Sequence, residues 1–110
     1  IVTGAAGALG RVVCARLAAE GWAVAAVGRG AADALPACAA RRLGGVDLTD
    51  EAATERAFAA LGSVHGLANV AGGFAWEKVA GGRQATWDRM YALNVATALN
   101  ASRAVLPLIV

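Results

Sequence analysis

The chain has 110 residues, ten basic and eight acidic, so with its one histidine neutral it carries a net charge of +2. That length suits one domain, residues 1–110, and excludes two. The charge is too small and too scattered for a nucleic-acid surface, and no apolar run approaches the ~18 residues that cross a bilayer.

A mean hydropathy of +0.55 argues against a disordered chain. Cys14 and Cys38 form no CxxC pair and have no histidine near them in the sequence, so no metal site is expected. Reduced thiols of a cytoplasmic protein are the expectation. The opening residues lack the charged start of a signal peptide, so none is expected here. The apolar stretches at Ile1-Val2-Thr3 and at Leu106-Pro107-Leu108-Ile109-Val110 lead us to expect a piece of a longer protein.

Short apolar runs alternate with helix-period stretches, the pattern of βαβ units around a parallel sheet. Ile1–Thr3 reads as the end of a first strand, and Gly4–Gly10 as a glycine-bearing turn. Arg11–Glu20 is predicted helical, with Cys14, Leu17 and Ala18 on its inner face, an Arg16/Glu20 pair outside, and Gly21 as its stop. Trp22–Val27 is a continuous apolar run, as in a strand covered on both faces. A short helix is expected over Ala31–Ala40, weakened by Pro36, and a third strand over Leu43–Leu48. Thr49 is the expected cap of a helix from Asp50 to Leu61, whose first-turn acids suit the positive end of the helix dipole. Gly66–Val70 is the fourth strand and Gly72–Gly82 a loop. A long helix is predicted from Thr86 to at least Val105, turning Met90, Leu93, Ala98 and Leu99 inward.

The most informative stretch is Thr3-Gly4-Ala5-Ala6-Gly7-Ala8-Leu9-Gly10. Between a strand and a helix, such a turn lets backbone N–H groups and the helix N-terminus meet a pyrophosphate; taken alone it is also a plain tight turn. Further along stand Asp47-Leu48-Thr49, Asn69-Val70-Ala71-Gly72 and, within the long helix, Asn94. Asn is a poor helix former, so Asn94 needs either a bond in the core or a functional reason.

In order and spacing these four signatures resemble the N-terminal half of a short-chain dehydrogenase/reductase, across all 110 residues. Two departures stand out. The glycines follow TGxxGxxG rather than the commoner TGxxxGxG, with Ala8 at the usual middle glycine, and Val70 replaces the second Asn of NNAG. The resemblance implies a Rossmann-type doubly wound α/β fold with a parallel sheet of strand order 3-2-1-4, truncated before its later strands. It implies that Gly4, Gly7, Leu9 and Gly10 line a pyrophosphate turn, that Asp47 and Leu48 meet the adenine, and that Asn69, Ala71 and Gly72 hold the adenosine ribose. It gives Asn94 a catalytic place, its backbone carbonyl holding a water of a proton relay. At the end of the second strand Arg29 stands where a carboxylate would hold the ribose of NAD(H). An arginine there suits a 2′-phosphate, so NADP(H) is favoured and NAD(H) remains open; the plainer reading is an arginine on a solvated loop.

The activity so implied is interconversion of a small-molecule carbonyl and alcohol by hydride transfer, in a protein that forms homo-oligomers when full length. Yet the family's Tyr-x-x-x-Lys is not in these residues, because Tyr91 is the sole tyrosine, Val95 follows it by four, and Lys78 is the sole lysine. The chain by itself is therefore expected to be inactive. The alternative is a regulatory or scaffold protein that binds a nucleotide on the same fold without catalysis. A methyltransferase using S-adenosylmethionine also opens on a glycine-rich turn, but it wants an acid where Arg29 stands. His65 has no acid or nucleophile near it in sequence and reads as a strand-entry residue. Phe74 and Trp76 either border a substrate pocket or cover the sheet edge.

Overall fold

Val2 joins the sheet together. In the computed structural model, which describes all 110 residues, it bridges in parallel to Ala26 on one side and to Ala68 on the other. Its N–H donates to Ala25 and its carbonyl accepts from Val27, while Thr3 and Ala68 continue the ladder on the far side. Strand β1 (Ala25–Val27) pairs in parallel with β2 (Arg41–Leu43), Ala26 opposite Arg42. The four extended segments therefore lie in the order third, second, first, fourth, as the resemblance implies. Only β1 and β2 form regular strands; Val2 and Ala68 take part as isolated bridges.

Helices cover both faces. Helix α1 (Ala8–Ala19) begins on the glycine turn itself, three residues before the expected Arg11, and stops where Gly21 takes a left-handed conformation. Its Cys14 packs with Val2, Ala5, Val24, Ala26 and Leu35. On the opposite face α2 (Glu51–Ala59) and α4 (Thr97–Val105) enclose Val27, Val46, Leu48, Phe58, Val64 and Ala101. Phe58 is fully buried there. The carboxylate of Asp50, not Thr49, caps α2 by accepting from the N–H of Ala53 at 3.0 Å.

Two expectations about the edge of the sheet need correction. The alanine-rich helix over Ala31–Ala40 is only a 3-10 turn, Ala32–Ala34. Leu35 is extended because Pro36 follows it and disfavours helical backbone before it. The third strand is Arg41–Leu43, not Leu43–Leu48, and its two arginines are exposed on the edge of the sheet. Its register is set by pairing with β1, and charge on an edge strand discourages further pairing.

The long helix begins at Gln84 and is continuous to Val105, but it is not α-helical throughout. Helix α3 (Gln84–Tyr91) passes through a π turn, Ala92–Ala96, into α4. Thr97, Asn100, Ala101, Ala104 and Val105 are the buried residues, Met90, Leu93 and Ala98 are half-buried, and Leu99 is exposed.

Candidate functional site

A cleft of about 490 Å³ opens at the carboxyl end of the central segments. It is lined by the turn after Val2, by Gly28–Gly30 after β1, by Val46–Thr49, by Val70–Gly72, and by Leu93 and Thr97 of the long helix. Open α/β sheets bind ligands at this place, because backbone groups at strand ends are left without sheet partners.

The turn is built from the sequence upward. Gly4 has φ +61°, and a Cβ there would stand 2.7 Å from the Cα of Ala71, so a side chain is excluded on two counts. A Cβ on Gly10 would overlap the Gly4 carbonyl, so the first turn of α1 rests directly on the loop. At Gly7 a Cβ would meet only an ordinary contact at 3.4 Å; what its absence leaves free is room in the cleft. Gly7 caps α1 without a side-chain bond, no acid lies in the first turn, and the N–H groups of Ala8, Leu9 and Gly10 have no acceptor within the chain. Those bare N–H groups, at the positive end of a 12-residue helix, form a fitting cradle for an anionic phosphate.

Thr3, just before the turn, fixes it against the fourth segment. Its buried hydroxyl accepts from the N–H groups of Val70 and Ala71, each at 3.0 Å. Arg11 braces the turn from outside, donating from Nε to the carbonyl of Ala6 at 3.0 Å and from Nη2 to that of Ala34 at 2.7 Å.

Arg29 and Asp47 face the same cleft. Arg29 is exposed and takes no part in any ion pair, so its guanidinium can meet an incoming anion. The Oδ1 atom of Asp47 accepts from the hydroxyl of Thr49 at 2.7 Å and from its N–H at 2.9 Å. These bonds, with a smaller contribution from the charge of Arg29, hold the carboxyl below its ordinary value. Beside it the buried Leu48 is located by Asn100, whose side-chain amide donates to the Leu48 carbonyl at 2.9 Å.

Of the residues singled out in the sequence, Gly4, Gly7, Leu9, Gly10, Arg29, Asp47, Leu48, Ala71 and Gly72 all line the cleft. Asn69 does not; its side-chain amide donates to Ser102 Oγ at 3.2 Å. Asn94 stands in the π turn, next to the lining residue Leu93, and its side chain clasps the loop. Oδ1 accepts from the N–H of Gly73 at 3.1 Å, and Nδ2 donates to the carbonyls of Gly73 at 2.9 Å and Met90 at 3.0 Å. Sequence reasoning missed Arg11, Asn100 and Thr97, and it gave Thr3 and Leu93 no part of their own in the cleft. Asn100 could have been found by the argument applied to Asn94, since an asparagine amid apolar helix residues also needs a partner.

The short chain dehydrogenase family profile matches residues 1–110. No curated protein sequence matches the chain. Among solved structures, a short-chain dehydrogenase/reductase from Serratia marcescens superposes with a TM-score of 0.82 at 28% identity, over 98% of this chain and 49% of that one. The aldohexose dehydrogenase of Thermoplasma acidophilum, solved without ligand, gives 0.86 at 23% identity, over 98% of this chain and 43% of its own. An NADH-dependent reductase, A1-R′, solved with NAD, gives 0.80 at 22%, over 97% and 50%. The chain thus spans about half the length of the structures it matches.

Proposed function

The chain belongs to the short-chain dehydrogenase family, and on that premise we propose that it is the cofactor-holding half of an NAD(P)-dependent oxidoreductase that interconverts a carbonyl and an alcohol, with NADP(H) favoured over NAD(H). The observation that carries this is the cleft itself, where an uncapped helix N-terminus and an unpaired arginine converge. The nicotinamide group of such a cofactor supplies or takes up the hydride.

The chain's own residues divide the work of binding. The N–H groups of Ala8, Leu9 and Gly10 hold the pyrophosphate, and Gly4 and Gly7 leave it room. Arg29 pairs with a 2′-phosphate. Asp47, with Oδ1 engaged by Thr49, offers its other oxygen to the adenine amine, and Leu48 borders the ring. Ala71 and Gly72 border the ribose, with Asn69 beside them at the segment's end. Asn94 keeps the active-site place its family position gives it, its side chain holding Gly73 while its backbone carbonyl serves the proton relay. The general acid is not among these residues, since Tyr91 has no lysine four positions on. The 110 residues bind cofactor without turnover.

The substrate is a small carbonyl or alcohol, and the setting is the cytoplasm. No helix is long and apolar enough to cross a membrane. Trp87, Tyr91, Val95 and Leu99, four residues apart along the long helix, are all exposed and supply an apolar stripe for homo-oligomer formation. Side-by-side fluorescence titrations with NADPH, NADH and S-adenosylmethionine test the cofactor reading. We expect NADPH to bind most tightly and S-adenosylmethionine not at all; no binding of either nicotinamide would overturn it. A regulatory nucleotide-binding protein on the same fold would match these affinities, and carbonyl reduction by the longer protein separates the two.

A further inference from the structure

The loop after the fourth segment is a pinned strap. Gly73 is bonded through both its N–H and its carbonyl to Asn94, the N–H of Ala75 donates to Met90 Sδ at 3.2 Å, and Glu77 Oε2 accepts from the Thr86 hydroxyl at 3.0 Å. The helix residues are four apart and their partners two apart. Four residues of helix rise about 6 Å and two of extended chain about 6.6 Å, so the two repeats match and the strap runs antiparallel to the helix.

Gly73 and Ala75 meet the helix through backbone groups and Glu77 through its carboxylate, while the rings of Phe74 and Trp76 are left 85% and 72% exposed. Lys78 stands beside them, its Nζ 5.9 Å from the centre of the Trp76 ring. Two large rings are thus displayed on backbone tied at three points, so a ligand that stacks on them need not order the loop.

The strap starts at Gly73, directly after the lining residue Gly72 and against Leu93, so the platform continues the cleft wall. It lies across the central segment from Arg29, because Gly72 follows the fourth segment and Arg29 the second. Two rings offer at most about 500 Å², less than the ~800 Å² per partner of a stable protein interface, which favours a small molecule over a second protein. We propose that Phe74 and Trp76 are specificity-determining residues that seat the aromatic part of an aryl-bearing carbonyl or alcohol substrate, an inference that rests on the oxidoreductase reading.

The test is a set of ligand-observed NMR titrations of the NADPH-saturated chain with acetophenone and with 2-butanone, repeated for Phe74→Ser and Trp76→Ser. The exposure of both residues makes loss of folding in these variants unexpected. The unaltered chain is expected to favour acetophenone by about 10-fold, and each variant to lose most of that preference while its NADPH affinity stays within about twofold. No preference, or a preference that survives both substitutions, with NADPH binding intact, overturns this inference alone. Absence of NADPH binding by the unaltered chain overturns the oxidoreductase reading and this inference with it.

Discussion

Asn100 donates its side-chain amide to the backbone carbonyl of Leu48, a contact that spans 52 positions in the sequence and ties the core of α4 to the lining of the cleft. Asn100 is buried, and so is the leucine it holds. In Asn100→Ala the carbonyl loses its partner where water does not readily replace it. The expected loss is about 1–3 kcal/mol, read from the midpoint of urea unfolding. A midpoint unchanged from that of the unaltered chain would show that the bond carries no stability.

Arg29→Asp tests the cofactor preference. Removing a charge-assisted bond to a phosphate and putting a carboxylate in its place should weaken NADPH by at least about 10-fold. NADH, which has no 2′-phosphate, should change far less. Equal weakening of both in parallel equilibrium titrations would remove Arg29 from the 2′ position.

Asp47 gives a pH dependence of definite sign. Its carboxyl titrates below the usual 3.8 because the Thr49 hydroxyl and N–H stabilise the ionised form. A depressed folded value contributes stability that is complete above the unfolded value and is lost as the pH falls through the folded one. The stabilisation is therefore present at neutral pH, and its loss is confined to pH below about 4. In Thr49→Val the carboxyl midpoint, followed by carbon NMR, should rise toward 3.8, and the acid limb of the stability curve should become shallower. An unmoved midpoint would mean that the Thr49 hydroxyl does not stabilise the charge.

Leu99→Lys tests the exposed stripe. Leu99 is absent from the buried core, so a lysine there leaves the interior packing untouched. If the stripe forms an interface, sedimentation should show a loss of self-association, since a lone charge in an apolar contact is strongly unfavourable. An association state shared by the variant and the unaltered chain would place the interface elsewhere.

The alternating elements and the glycine turn were legible in the sequence itself, because glycine spacing and the alternation of apolar runs report directly on backbone constraints. Gly4 and Gly10 are examples, each with a steric reason for having no side chain. The order of the sheet and the other cleft residues came from the family resemblance. Less legible was whatever depended on tertiary partners. Arg41 and Arg42 do not look like a strand until β1 is beside them, and the exposed carboxylate of Asp50 outcompetes Thr49 as a cap because Thr49 is drawn back to Asp47. Asn69 reads like a ligand-facing residue by its place in a motif, yet in this chain Ser102 takes its side-chain amide. The inward face of the long helix was misread at Leu99 because apolar residues were taken as inward, whereas the 3.6-residue period through Met90, Leu93, Thr97, Ala101 and Ala104 turns Thr97 and Asn100 inward and leaves Leu99 outside.

The π turn over Ala92–Ala96 gives the helix one residue of slack. Upstream of it Thr86, Met90 and Asn94 hold the strap; downstream Asn100 holds Leu48. A π turn holds one residue more than an α turn, so deleting Val95 would let the helix run as plain α-helix with both halves near their present phase. Adding a residue there would instead turn one half relative to the other by about 100°. The cleft wall and the platform beside it would then be mutually exclusive.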